Sequence, residues 1–273
     1  MIEGPDGPIL LVGCGKMGHS MLSGWTDRGM DPNRVHIVEP NEDVASLLSK
    51  KGVKVFNQNC EIPSQFVPTI IIFAVKPQVM ELVVPNYSHF KSESTVFLSI
   101  AAGKKIAFFE QHLGDDAAIV RAMPNTPAAV QRGITVACGN TQVSNPHKQQ
   151  CLSLLRAVGE AEWIEDEDLI DAVTAISGGG PAYVFLLTEA MTKAGVDSGL
   201  PQGLSARLAR ATVSGAGELM RQSDEHPSTL RENVTSPGGT TEEALRVLMS
   251  DDAWQTLMDR AIAAATARSR KLA

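Results

Sequence analysis

Six residues near the start of the chain, Gly13-Cys14-Gly15-Lys16-Met17-Gly18, constrain the fold more than any others. They fit G-x-G-x-x-G, and the setting makes the fit specific. The apolar run 8–12 (PILLV) leads straight into them, and a helical stretch over about 17–28 leads out, ending near Gly29. In such a strand–loop–helix unit the first glycine permits a tight turn. The second lets the backbone approach a pyrophosphate, and the third lets helix and strand pack closely. The helix N-terminus then presents unpaired N–H groups and the positive end of its dipole to the phosphates. The expectation is a dinucleotide site contacted by Gly13, Cys14, Gly15, Lys16, Met17 and Gly18.

Further strands are expected at 35–38, 53–56, 69–75, 95–100, 118–121 and 134–138, with a helix at 44–50 after the second strand. Short apolar runs rich in β-branched residues, alternating with helical segments, imply βαβ units and a mostly parallel sheet. Right-handed crossovers make it doubly wound. After about Trp163 no strand pattern remains, and 167–175, 182–194, 202–221, 241–249 and 252–270 read as helices. The expected architecture is α/β: a Rossmann-type domain over 1–164, then an all-helical domain over 165–273. Several of these helices are apolar on most faces and must be covered. A bundle of roughly 110 residues has limited means to do so alone, so a homodimer is expected.

Composition excludes other classes. A net charge of -7 disfavours nucleic acid, which needs a basic face. Cys14, Cys60, Cys138 and Cys151 are scattered, without a CxxC pair or a Cys/His cluster, so free thiols are expected and no metal. The longest unbroken apolar run, 70–75, is too short for a membrane span, and nothing ahead of the first strand reads as a targeting signal. The expected compartment is the cytoplasm.

In open α/β sheets, ligands bind beyond the carboxyl ends of the strands. Glu39 ends the second strand, 21 residues after Gly18, where a carboxylate bonds ribose hydroxyls and repels a 2′-phosphate. Arg34, Lys50, Lys51 and Lys54 lie near enough in sequence to keep NADPH in play. Lys76, in Ala74-Val75-Lys76-Pro77, is either a cofactor contact or a solvated helix cap. Small residues Ala101, Ala102 and Gly103 leave room for ribose or nicotinamide. Three more segments exceed structural need: RAMPNTP at 121–127, SGGGPAY at 177–183 and SPGGTT at 236–241. The last reads as an anion nest, in which Ser236, Gly239, Thr240 and Thr241 would receive a small carboxylate.

Taken in order, GCGKMG, AVKP, SIAAG, RAMPNTP, DAVTAISGGGPAY and NVTSPGGTT resemble the pyrroline-5-carboxylate reductase family over nearly the whole chain. The resemblance implies reduction of a cyclic imine to proline with NADPH, by dimers often assembled further into rings. It places cofactor contacts on Gly13 to Gly18, Asn59, Ala74 to Pro77, Ile100, Ala101, Ala102 and Asn233. It places substrate contacts on Glu167, Thr240 and Thr241, with the Thr241 hydroxyl nearest the ring nitrogen. Two positions depart from the pattern. Glu39-Pro40-Asn41 stands where many members carry small or hydroxyl residues, which leaves NADH open, and Asp224 stands where some carry glutamate.

Two other readings compete. A Rossmann β-hydroxyacid dehydrogenase would carry a lysine base shortly after the second-domain glycines. That place holds Val184, and the next lysine is Lys193. A non-catalytic nicotinamide sensor would not need the threonines of the nest.

Overall fold

The structure, a computed structural model, describes residues 7–272, so the segment read as free of a targeting signal lies outside the described residues. Eight strands form one sheet in the order β3-β2-β1-β4-β5-β6-β7-β8. They are β1 (Ile9–Val12), β2 (Val35–Val38), β3 (Lys54–Phe56), β4 (Ile70–Phe73), β5 (Val96–Ser99), β6 (Ala118–Met123), β7 (Gly133–Gly139) and β8 (Gly159–Trp163). All neighbours pair in parallel except β6 and β7. β1, β4 and β5 are buried along their whole length, as the apolar sequences of β1 and β4, and of β5 up to Ser99, require of strands covered on both faces. The mostly parallel, doubly wound sheet expected from the sequence is the one observed.

β8 (GEAEW) was not expected. Only Ala161 of its five residues is buried, so an edge strand with charged outward positions carries no apolar signature. It can pair with β7 because Gly159 has φ +148° and lies against the Gly133 backbone, where a Cβ would fall 1.9 Å from the carbonyl oxygen.

Helices α1 (Lys16–Asp27) and α2 (Glu42–Ser49) follow β1 and β2. Trp25 of α1 is fully buried and its indole N–H donates to the Leu154 carbonyl at 3.0 Å. α3 (Met80–Val83), α4 (Ile106–Leu113) and α5 (Asn145–Leu155) separate the later strands. Beyond Trp163 the described chain is helical: α6 (Ile170–Val173), a π-helical turn at Thr174–Gly178, α7 (Gly180–Asp197), α8 (Gln202–Gln222), α9 (Pro227–Asn233), α10 (Thr240–Leu248) and α11 (Ala253–Leu272).

By packing, the chain divides into two compact units. One holds the sheet, continues to Gly178 and includes the chain end from Ala265; the other is Gly179–Ala264. In the first, the Ser269 hydroxyl donates to buried Asp171 at 2.6 Å, fixing the last turns of α11. In the second, a groove of about 540 Å³ along α7 and α8 is lined by Val184, Phe185 and Val213, with Glu189 and Arg210 beside them. The stretch Glu167–Asp197 is long and apolar enough, by length and composition, to cross a membrane. Counting unbroken apolar runs passes over it, because Ser177, Thr188, Glu189 and Lys193 interrupt the run. Its exposed side chains include Phe185 and Leu186.

Candidate active site

Because β1 to β5 run in parallel, the segments that follow them share one edge of the sheet. The strand order reverses direction at β1 and β4, the switch point where a crevice opens in folds of this kind. The glycine loop occupies it. Gly13 has φ +84°, a conformation other residues rarely adopt, and its N–H donates to the Val38 carbonyl at 2.8 Å. A Cβ on Gly18 would lie 2.9 Å from the Gly13 carbonyl oxygen and 3.5 Å from the Ala74 Cβ, so this glycine sets the approach of α1 to the sheet. A Cβ on Gly15 would meet no protein atom within 4 Å. Nothing in the fold demands a glycine there, and the open space beside it suits close approach of an external group.

The start of α1 fits the same group. Its N-cap is Gly15, without a side-chain cap, and its first turn holds no acid. By contrast, α2 is capped by Asn41 and carries Glu42 and Asp43 in its first turn. An uncapped, acid-free N-terminus behind a glycine turn suits a pyrophosphate.

Glu39 bears directly on this loop. Its Oε2 accepts from the Cys14 N–H at 2.9 Å and its Oε1 from the Asn41 N–H at 3.0 Å. The sequence placed this carboxylate on a ribose; the structure adds that it braces the loop backbone. A carboxylate has about four acceptor positions, so two bonds leave capacity for hydroxyls. Burial, and then the Glu39 charge, push the Cys14 thiol up to about 12. Burial alone does the same at Cys151, and burial together with nearby carboxylates at Cys138. Among the free cysteines only Cys60 is exposed. Because the thiolate is the nucleophile, iodoacetamide at pH 8 is expected to label Cys60 and spare the other three in mass spectra of the folded protein. Labelling of Cys14 at the rate of Cys60 contradicts this.

The remaining residues expected on the cofactor fall as follows. Val75 packs on Gly13, with its Cγ1 2.6 Å from where a Cβ would stand, and Ala74 packs on Gly18. Lys76 is exposed and forms the N-cap of a short 3₁₀ turn that begins at Pro77, with no side-chain cap bond. Asn59 opens a 3₁₀ turn after β3. Ile100 and Ala101 are buried beyond β5, and Ala102 is exposed.

Of the three over-specified segments, the structure joins two. Asn125 donates to the Ser177 carbonyl at 3.2 Å and accepts from the Ile134 N–H at 2.9 Å, and Met123 abuts Gly178. Sequence reasoning singled out both segments without assigning Asn125 a role. Glu167 is half-buried, and its Oε1 accepts from Arg121 Nη1 at 2.8 Å and from the Ile106 N–H at 2.9 Å.

The third segment lies in the helical unit. Gly238 has φ +69° and its N–H donates to Glu242 Oε2 at 2.6 Å. The nest expected to receive a carboxylate thus already holds one of the chain's own, a partner that G-G-T-T-E shows only in hindsight. Gly239 is the N-cap of α10, Ser236 and Thr240 are exposed, and Thr241 is half-buried. Asn233 ends α9, exposed, with its amide 3.2 Å from Glu225 Oε2.

Known proteins match both halves. The family described as pyrroline-5-carboxylate reductase dimerisation matches residues 167–272, and the NADP oxidoreductase coenzyme F420-dependent family matches residues 8–103. A pyrroline-5-carboxylate reductase of Pseudomonas aeruginosa is 37% identical over 266 residues, covering 97% of this chain and 96% of its own. Among solved structures, a pyrroline-5-carboxylate reductase from Coxiella burnetii superposes with a TM-score of 0.92 at 33% identity, covering 98% of each chain. A Plasmodium falciparum pyrroline carboxylate reductase with NADP bound does so with 0.82 at 29% identity, covering 98% and 99%.

Proposed function

The chain belongs to the pyrroline-5-carboxylate reductase family, and from that membership we propose how it works. It reduces 1-pyrroline-5-carboxylate to L-proline with NADPH, the final step of proline biosynthesis. One observation carries this above all: 37% identity running through 97% of the chain, across both the dinucleotide half and the helical half.

Reduced nicotinamide supplies the hydride, and the chain's residues bind, orient and exclude water. Gly13 to Gly18 and the start of α1 take the pyrophosphate. Glu39 faces the adenosine ribose. Asn59, Ala74 to Pro77, Ile100 to Ala102 and Asn233 complete the cofactor contacts. Ser236, Gly239 and Thr240 receive the imine's carboxylate, in competition with Glu242 for the Gly238 N–H. The Thr241 oxygen accepts the N–H of the protonated ring nitrogen, which holds the neighbouring carbon electrophilic. Glu167 borders the substrate. Its Oε1 is an acceptor of two hydrogen bonds, which leaves its other oxygen or a water molecule to supply the proton.

The working division is a dinucleotide-binding domain over 1–164 and a substrate and dimerisation domain over 165–273. The exposed Phe185 and Leu186 and the α7–α8 groove are the faces a second copy covers, and dimers assemble further into a ring. The enzyme works in the cytoplasm.

Alcohol oxidation fits less well. Val184 stands at the base position, and Lys193 is paired with Asp197 at 2.5 Å one turn on. The deciding assay follows NADPH oxidation with pyrroline-5-carboxylate, NADP+ reduction with hydroxyacids, and binding of the cofactor alone. Turnover only with hydroxyacids, or binding without turnover, refutes the proposal. For cofactor choice, Glu39→Ser is expected to raise the NADPH-to-NADH ratio of kcat/KM by about 10-fold, through removal of a charge that repels a 2′-phosphate. An unchanged ratio removes Glu39 from the ribose site.

A further inference from the structure

A buried guanidinium is left unused by the proposed reaction; its role rests on taking the proposed cofactor contacts Ile100 to Ala102 to lie at the nicotinamide end. Arg121 is 2% exposed, on β6 directly opposite Ser99 of β5. Ser99 is the last residue of its strand, and its hydroxyl accepts from the Ala101 N–H at 3.3 Å. Six residues, 100–105, then cross to α4. That helix starts badly by itself. Its N-cap is Lys105, without a side-chain cap bond, and its first turn has no acid. The missing cap comes from 61 residues away: Glu167 Oε1 takes the N–H of Ile106, the first residue of α4. The same oxygen accepts from Arg121 Nη1 at 2.8 Å.

One carboxylate oxygen therefore ties the end of the cofactor loop to the strand beside its beginning. Lys105 adds an exposed ion pair with Asp168 at 3.2 Å, which contributes little. Stability alone does not explain pairing the buried guanidinium with a half-buried carboxylate, since replacing a buried pair by apolar residues is often neutral or stabilising. What apolar residues cannot supply is an acceptor fixed at the Ile106 N–H.

We propose that Arg121 is a positioning residue: by fixing Glu167 as the remote cap of α4, it holds 100–105 in the conformation that walls the nicotinamide. The test measures dissociation constants for NADPH and for 2′,5′-ADP, which carries only the adenosine half, with no imine present. Direct contact of Glu167 with the substrate is then silent. The double variant Arg121→Met/Glu167→Leu removes both charges, so it folds without a buried unpaired ion. Its dissociation constant for NADPH is expected to rise about 10-fold, and that for 2′,5′-ADP to stay within 2-fold, by analogy with losing one cap hydrogen bond. Glu167→Gln keeps an oxygen for both donors and should restore most of the NADPH affinity. Unchanged NADPH affinity in the double variant overturns the proposal, and so does equal weakening of both ligands. Ala102→Val is the control for the underlying reading. If it leaves NADPH binding intact, the loop is no cofactor wall and both ideas fail. If it weakens binding and the double variant does not, only the role of Arg121 fails.

Discussion

Replacing Thr241 with alanine is expected to lower kcat/KM for the imine about 100-fold and leave the dissociation constant for NADPH unchanged. The size follows from the partner. A hydrogen bond to a charged group contributes roughly 1.5–3 kcal/mol, and each 1.36 kcal/mol of barrier is tenfold in rate. The bond favours the protonated, electrophilic form of the imine, so the loss falls on the chemical step. The fold should not obscure it. Thr241 is the second residue of α10, half-buried, and alanine is the better helix former. Thr241→Ser keeps the hydroxyl and should retain most of the activity, which separates the oxygen from the methyl group. Kinetics equal to wild type in Thr241→Ala would take this residue out of the site. A matched loss of NADPH affinity would move it to the cofactor.

What could be read from the sequence follows the strength of local rules. β1, β4 and β5 were legible because a strand buried on both faces is almost wholly apolar, Ser99 at the end of β5 being the exception. The glycine loop was legible because its three glycines answer three separate steric demands. β8 was not, because an edge strand faces solvent and its charges look like a loop. Cap residues supplied from afar were also hidden. Nothing near Lys105 indicates that Glu167 will complete α4. Glu39 shows a partial reading: its place at the end of β2 was plain, but its bond to the Cys14 N–H depends on how β1 and β2 lie side by side. The role of Asn125 has the same cause, since its partners Ile134 and Ser177 are 9 and 52 residues away. Local periodicity specifies elements; pairings across long sequence separations do not leave a pattern in either partner alone.

The glycine loop supplies the second large effect, because the structure separates two glycines that a motif treats alike. Gly15→Ala is expected to weaken NADPH binding about 100-fold, while stability changes by no more than about 1 kcal/mol, the usual cost of a poor N-cap residue. Gly15 has φ -67° and ψ -164°, which any residue adopts, and its added methyl meets no protein atom within 4 Å. On the proposed placement of the cofactor, the methyl would instead stand where the backbone meets the pyrophosphate. A 100-fold loss corresponds to about 2.8 kcal/mol, within the roughly 1.5–3 kcal/mol that a hydrogen bond to a charged group contributes. Gly18→Ala should behave in the opposite way. Its methyl would press on the Gly13 carbonyl at 2.9 Å, backbone that cannot turn aside. Overpacking of this kind costs about 1–3 kcal/mol, so the thermal midpoint falls first and affinity declines only as α1 shifts. Thermal unfolding beside NADPH titration distinguishes the two variants. If Gly15→Ala binds NADPH as tightly as wild type, the pyrophosphate does not lie on this loop, and the placement of the cofactor at the β1–β4 switch point fails with it.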